Sequence, residues 1–282
     1  MRVGVVAVAS ALAMWTPLLH AEAFAALPEP KTIAAWNAYV TATETRIASE
    51  LAATGPFLVT DRTDQRRTIR DAIARGEIPL GTLSTVDRTG QVLPVPGGTI
   101  AHWRGAVLLP GTSLDRLLHR LQNPPEHGPL PDDVLSLRVL DREPNRLTVA
   151  MRLTRTKIVT ATYDTEHLAT YRRLAPTRAS SRSASTRIVE VANAGTRTER
   201  VLSDGQDRGF LWRVNSYWRY EQVPGGVIVE LESITLSRAV PMGLGMILEP
   251  IIDRTARESV TRTLASVRRI YSGTGDWPWN MK

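Results

Sequence analysis

The chain has 282 residues, 43% of them hydrophobic and 22% charged, with no cysteine and 35 Lys+Arg against 28 Asp+Glu. The absence of thiols excludes a disulfide scaffold and any thiolate metal site or nucleophile, and the apolar fraction excludes collagen-like and broadly disordered chains. A net charge of +7 favours anionic surfaces, but the arginines are spread along the whole chain and form no basic block. That distribution argues against nucleic acid as a partner and leaves transient contact with an anionic membrane surface as the charge-based expectation.

Arg2 is followed by an apolar run from Val3 to Trp15 that is too short to span a bilayer, then by Pro17 and small-residue cleavage options at His20-Ala21, Glu22-Ala23 and Phe24-Ala25. This order reads as a secretory signal peptide over residues 1–25 and predicts export, with a periplasm as the destination. An uncleaved anchor or an ordinary buried helix is the competing reading.

Residues 26–97 read as an N-terminal helical appendage and linker. From Thr32 to Ala53, Ile33, Trp36, Val40, Ile47 and Leu51 suit one face of a helix, with Thr43 and Glu44 interrupting its middle. Gly55-Pro56 stops it. A second helix is expected from Asp64 to Ala74 on a thin stripe of Ile69, Ala72 and Ile73. Neither has enough apolar surface to stand alone, so both are expected to lie on the main domain. Turn-rich sequence follows through Pro79-Leu80-Gly81, Arg88-Thr89-Gly90 and Pro94-Val95-Pro96-Gly97-Gly98.

The main domain is expected over residues 98–271, with 272–282 as a tail. Ile100 to Leu109 reads as a strand, and Thr112 or Ser113 caps a helix through Leu114, Leu117, Leu118 and Leu121 that ends at Asn123-Pro124-Pro125. Six strands follow: Val134 to Leu140, Leu147 to Leu153, Lys157 to Tyr163 with a continuation from His167 to Leu174, Arg182 to Val191, Phe210 to Gln222, and Val227 to Ser237. Their short, Pro/Gly/Asn/Asp-containing connections favour antiparallel hairpins.

One hairpin is specified to the residue. A two-residue turn at Gly225-Gly226 is read as placing Pro224 opposite Val227, Arg219 opposite Glu230, Tyr217 opposite Glu232, Trp218 opposite Leu231 and Tyr220 opposite Val229. That pattern sets Trp212, Val214, Trp218 and Tyr220 on one face with Val227, Val229 and Leu231. Arg213, Asn215, Tyr217, Arg219, Glu230 and Glu232 fall on the other.

After Pro241 the apolar residues from Leu244 to Ile270 recur with helical spacing, and Pro250 is expected to kink or divide this last helix near its start. The order of strand, helix, six strands and a long closing helix predicts an α+β helix-grip fold, a curved antiparallel sheet of about seven strands around the C-terminal helix. The segments Arg182-Ser183-Ala184-Ser185-Thr186-Arg187-Ile188, Gly209 to Tyr220, Glu230 to Arg238 and Pro241-Met242-Gly243-Leu244-Gly245 resemble exported bacterial members of the START-like (SRPBCC) superfamily, the polyketide cyclase/dehydrase and lipid-transport group. The resemblance covers roughly residues 98–269. It implies an internal cavity between the closing helix and the sheet that takes a hydrophobic or amphipathic small molecule. The sequence departs from related chains at Asn123-Pro124-Pro125-Glu126-His127-Gly128.

Candidate ligand-binding residues are Arg187, Arg213, Tyr217, Glu230 and Glu232 at a polar end of the pocket, with Trp212 and Trp218 in its wall. The competing reading makes the polar set a solvent-facing ladder in which Arg219 pairs Glu230. Asp164, Glu166 and His167 are an alternative acid-base or metal group, although His102, His119 and His127 lie on unrelated elements and no metal spacing stands out. No catalytic motif is matched. With no nucleophile elbow, phosphate loop or dinucleotide fingerprint, no cofactor is expected. Binding or transport of a small amphiphile is the leading functional expectation. A cyclase- or dehydratase-like enzyme using the same cavity and an envelope structural protein are the alternatives.

Overall fold

A computed structural model describes residues 27–124, 128–156, 160–203, 205–239 and 245–273. The signal segment, Pro125–His127, most of the Gly243-Leu244-Gly245 motif and the end of the tail lie outside the described residues.

In chain order the elements are α1 (Pro30–Ala52), a 3-10 turn (Val59–Arg62), α2 (Arg66–Ala74), β1 (Leu80–Thr82), β2 (Gly98–Pro110), α3 (Leu114–Gln122), β3 (Val134–Glu143), β4 (Arg146–Thr156), β5 (Thr160–Ala175), β6 (Arg178–Ala192), β7 (Arg200–Val201), β8 (Arg213–Val223), β9 (Gly226–Arg238) and α4 (Gly245–Tyr271). Among the described residues the strands form one sheet in the order β1-β2-β9-β8-β6-β5-β4-β3, with β7 added to β6, and every pairing is antiparallel. The chain has the expected helix-grip fold: a curved antiparallel sheet around a long C-terminal helix, with a helical segment at its N-terminal side.

Strand alternation sorts side chains onto two covered faces. On the inner face, Trp103, Val107 and Leu109 of β2 and Val227, Val229 and Leu231 of β9 pack with Leu114 and Leu117 of α3 and with Val260, Leu264 and Val267 of α4. Gly105 of β2 permits close approach here, since a Cβ at that position would lie 2.8 Å from Leu264 Cδ1. On the outer face, Ile234 and Leu236 pack with Trp36, Tyr39 and Val40 of α1. Ile228 packs there with Phe57, Leu58 and Ile73. The N-terminal helices therefore close the side of the sheet opposite α4.

Helix starts follow local chemistry. Ser113 caps α3 by accepting from Arg116 N at 3.3 Å. Helix α4 runs without a break through Pro250, which stands near the helix start, so its missing N–H removes a bond only from the first turns.

The β8–β9 hairpin has the expected pairs Tyr217↔Glu232, Trp218↔Leu231, Arg219↔Glu230 and Tyr220↔Val229. Its turn is corrected. Val223 pairs Gly226, so the turn residues are Pro224 and Gly225, and Pro224 does not face Val227. Proline at the first central position and glycine with φ 83° at the second satisfy a type II turn. Gly226 belongs to the strand, where a Cβ would collide with the Leu109 carbonyl. Trp212 is also corrected: it precedes the strand at a bend and packs with the outer-face cluster of Trp36, Tyr217 and Leu236, not with Trp218.

Candidate functional site

A cavity of about 1050 Å³ lies between α4, α3 and the inner face of the sheet. Leu147, Val149, Met151 and Leu153 enter it from β4, Tyr163, Ala169 and Tyr171 from β5, and Trp218 and Tyr220 from β8. Leu117 and Leu121 of α3 and Ala256, Val260, Val267 and Ile270 of α4 complete the apolar wall. Four alternate residues of β4 thus supply one continuous apolar surface.

The polar lining is mostly hydroxyl. Ser181, Ser183, Ser216, Ser233, Thr235 and Ser237 face the cavity. Ser181 Oγ and the Tyr220 hydroxyl hydrogen-bond at 2.8 Å, and the Tyr171 hydroxyl donates to Leu121 O at 3.2 Å. Burial raises the pKa of Tyr171 and of Tyr220 above the usual tyrosine value, so both phenols stay protonated. His167 of β5 lines the same space and is 6% exposed. Its Nε2 has no hydrogen-bond partner among the described residues, and burial pushes its pKa down to about 4, so the ring is neutral at pH 7.

Charged lining residues carry partners. Asp132 pairs with Arg269 at 2.6 Å, Asp133 with Arg262 at 3.5 Å, and Arg208 with Glu190 at 2.5 Å. Arg208 also lies over the exposed Phe210 ring, 5.1 Å from its centroid.

The residues expected to form one polar pocket end are divided by the sheet. Of the seven, Trp218 is the one on the cavity lining. Arg187 is half-exposed and 3.8 Å from Glu166, and Arg213 Nη1 donates to Trp212 O at 2.8 Å. Trp212, Tyr217, Glu230 and Glu232 are buried on the outer face beneath the N-terminal segment. The solvent-facing ladder is corrected as well, because α1 and the 3-10 turn cover it.

That covered face holds a dense ionic network. Glu230 accepts from Val59 N at 3.0 Å and Thr60 N at 2.9 Å. Arg219 sits 3.9 Å from Glu230, donates to Phe57 O at 2.9 Å and pairs with Glu50. Glu232 pairs with Arg46 and lies 2.8 Å from His102 Nε2. Thr85 N donates to the Tyr39 hydroxyl, which is 2.9 Å from His102 Nδ1. A tyrosine accepting there has its own proton for Nδ1, which leaves the Nε2 proton for Glu232. Burial works to raise the pKa of Glu232, but the His102 hydrogen bond and the Arg46 charge outweigh it and hold the carboxyl below its usual value. Glu44, which interrupts the apolar stripe of α1, accepts from Arg182 at 2.5 Å and from the Tyr217 hydroxyl at 2.9 Å.

Sequence reasoning missed the serines of the cavity floor. Their signal was present as Ser216 and Ser233 standing at inward positions between Val214 and Trp218 and between Leu231 and Thr235.

No protein-family model matches the sequence, and no curated protein matches it. Among solved structures, the chain is similar to a Thermus thermophilus protein at 15% identity and a TM-score of 0.42, over 60% of this chain and 94% of that one. It is similar to a STAR-related lipid transfer protein from Xanthomonas axonopodis at 15% identity and a TM-score of 0.39, over 66% and 99%. It is similar to the Zhui aromatase/cyclase from a Streptomyces species at 8% identity and a TM-score of 0.39, over 61% and 93%.

Proposed function

We propose that this chain binds a hydrophobic or amphipathic small molecule, with lipids in the candidate class, in the cavity between α4 and the sheet. The supporting observation is a space of about 1050 Å³ with predominantly apolar walls, a size and character that suit a small-molecule site. The export reading rests on the first 25 residues of the sequence and makes the ligand one that is met outside the cytoplasm. A cyclase- or dehydratase-like role draws less support, because Glu230 and Glu232 are engaged on the outer face.

Native mass spectrometry of protein purified gently from the cells that make it, followed by denaturing extraction, tests the proposal. The expected result is a mass increment that matches one extracted amphiphile per chain. Protein that carries nothing and fails to take up any added amphiphile would overturn it.

A further inference from the structure

The inner face of the sheet carries one feature that a simple greasy pocket does not need. Ser183 of β6 pairs in register with Ser216 of β8, and Ser216 with Ser233 of β9. Residues directly opposite one another share a face, so the three hydroxyls form a row across the strands on the cavity floor. Strand spacing puts neighbours about 4.8 Å apart and the row about 10 Å long. All three line the cavity and remain partly accessible there. None of the three hydroxyls makes a hydrogen bond among the described residues.

His167 is the second, independent observation. It lines the same cavity from β5, is 6% exposed, and leaves Nε2 without a partner among the described residues. A buried polar atom without a partner costs about 1–3 kcal/mol in general, so a well-packed apolar wall would carry a hydrocarbon side chain instead. The charges on the lining are different in kind: Asp132, Asp133, Arg208 and Arg262 are already ion-paired, and Arg238 is engaged as well. Among the described residues a ligand charge placed over the serine row would meet no unengaged counter-ion, whereas a neutral oxygen would meet donors and acceptors.

We infer that the ligand is an uncharged hydrophobe with hydroxyl or carbonyl oxygen in its buried body, held by the Ser183–Ser216–Ser233 row with His167 beside it. This rests on the binding role proposed above and narrows it to a substrate class.

The test uses Nile red, an uncharged dye sensitive to its surroundings, bound to the full chain and displaced by methyl stearate, methyl 10-hydroxystearate or stearate. The hydroxylated ester is expected to compete about tenfold better than methyl stearate, and stearate no better than methyl stearate. The triple variant Ser183→Ala/Ser216→Ala/Ser233→Ala is expected to erase the preference, so that the two esters compete equally. The single variant Ser216→Ala is expected to lose about threefold for the hydroxylated ester. Equal competition by the two esters, a preference that survives in the triple variant, or tightest binding of the stearate anion would overturn the inference while leaving the cavity reading intact. A chain that binds neither dye nor ester would overturn both.

Discussion

Replacing Arg219 with alanine is expected to cost about 3–5 kcal/mol of folding stability, the range for removing one member of a buried ion network. Arg219 is 5% exposed and reaches three groups at once: the Phe57 carbonyl, the Glu50 carboxylate and, at 3.9 Å, Glu230. Its removal leaves Glu230 buried with two backbone N–H partners and no cation beside it. The loss should also loosen the 3-10 turn, because Glu230 fixes the amides of Val59 and Thr60. Urea unfolding measures the effect. Arg187→Ala is the control: that half-exposed side chain stands 3.8 Å from Glu166, and its loss should change stability by less than about 0.5 kcal/mol. Similar losses from the two variants would refute the claim that the N-terminal segment is tied to the sheet through a buried network.

Acidification should reveal His167. Burial depresses its folded-state pKa from 6.5 to about 4, so the unfolded chain takes up a proton at a pH where the folded chain does not. The stabilising contribution is therefore complete above the unfolded value, declines as pH falls from about 6.5 towards 4, and levels off below. A gap of that size corresponds to about 3 kcal/mol. His167→Gln removes the titration, so the stability difference between wild type and variant should shift by that amount between pH 7 and pH 4. Carboxylates such as Glu232, whose pKa is also depressed in the fold, contribute equally to both proteins and cancel. Parallel pH profiles would show that His167 is not held in a dry environment.

Much of the architecture was legible because it rests on periodicity. The inward set Trp218, Tyr220, Val229 and Leu231 and the outward set Tyr217, Arg219, Glu230 and Glu232 follow from strand alternation and a hairpin register that the structure keeps. The Gly225-Gly226 turn is off by one: the Arg219–Glu230 and Trp218–Leu231 pairs read beside it require Pro224-Gly225 at the turn, and Gly226 lies in the strand against Leu109. Trp212 went to the wrong face because alternation applies only within a strand, and β8 starts one residue later.

The division of the polar residues was less accessible. Sequence pattern groups Tyr217, Glu230 and Glu232 on one face but does not say what covers that face. Thr43 and Glu44 held the clue. Read as interruptions of an apolar stripe, they are the positions where α1 meets polar groups, Thr43 at Thr85 and Glu44 at Arg182 and Tyr217. A polar strand face and a polar break in a helix stripe were complementary surfaces. Strand β1 was hidden for another reason: three residues beside Pro79 carry too little pattern to separate a short edge strand from a turn.

The central claim is that a small molecule occupies the space between α4 and the sheet, and filling that space tests it most directly. Ala169 lines the cavity opposite Ser183, so Ala169→Trp places an indole inside it with room to be accommodated. Titration of Nile red into both proteins, with thermal melts run alongside, should give saturable one-to-one binding by the wild type and at least a tenfold weaker affinity in a variant that still melts cooperatively. Undiminished one-to-one binding by the filled variant would contradict the account and place the ligand elsewhere on the molecule.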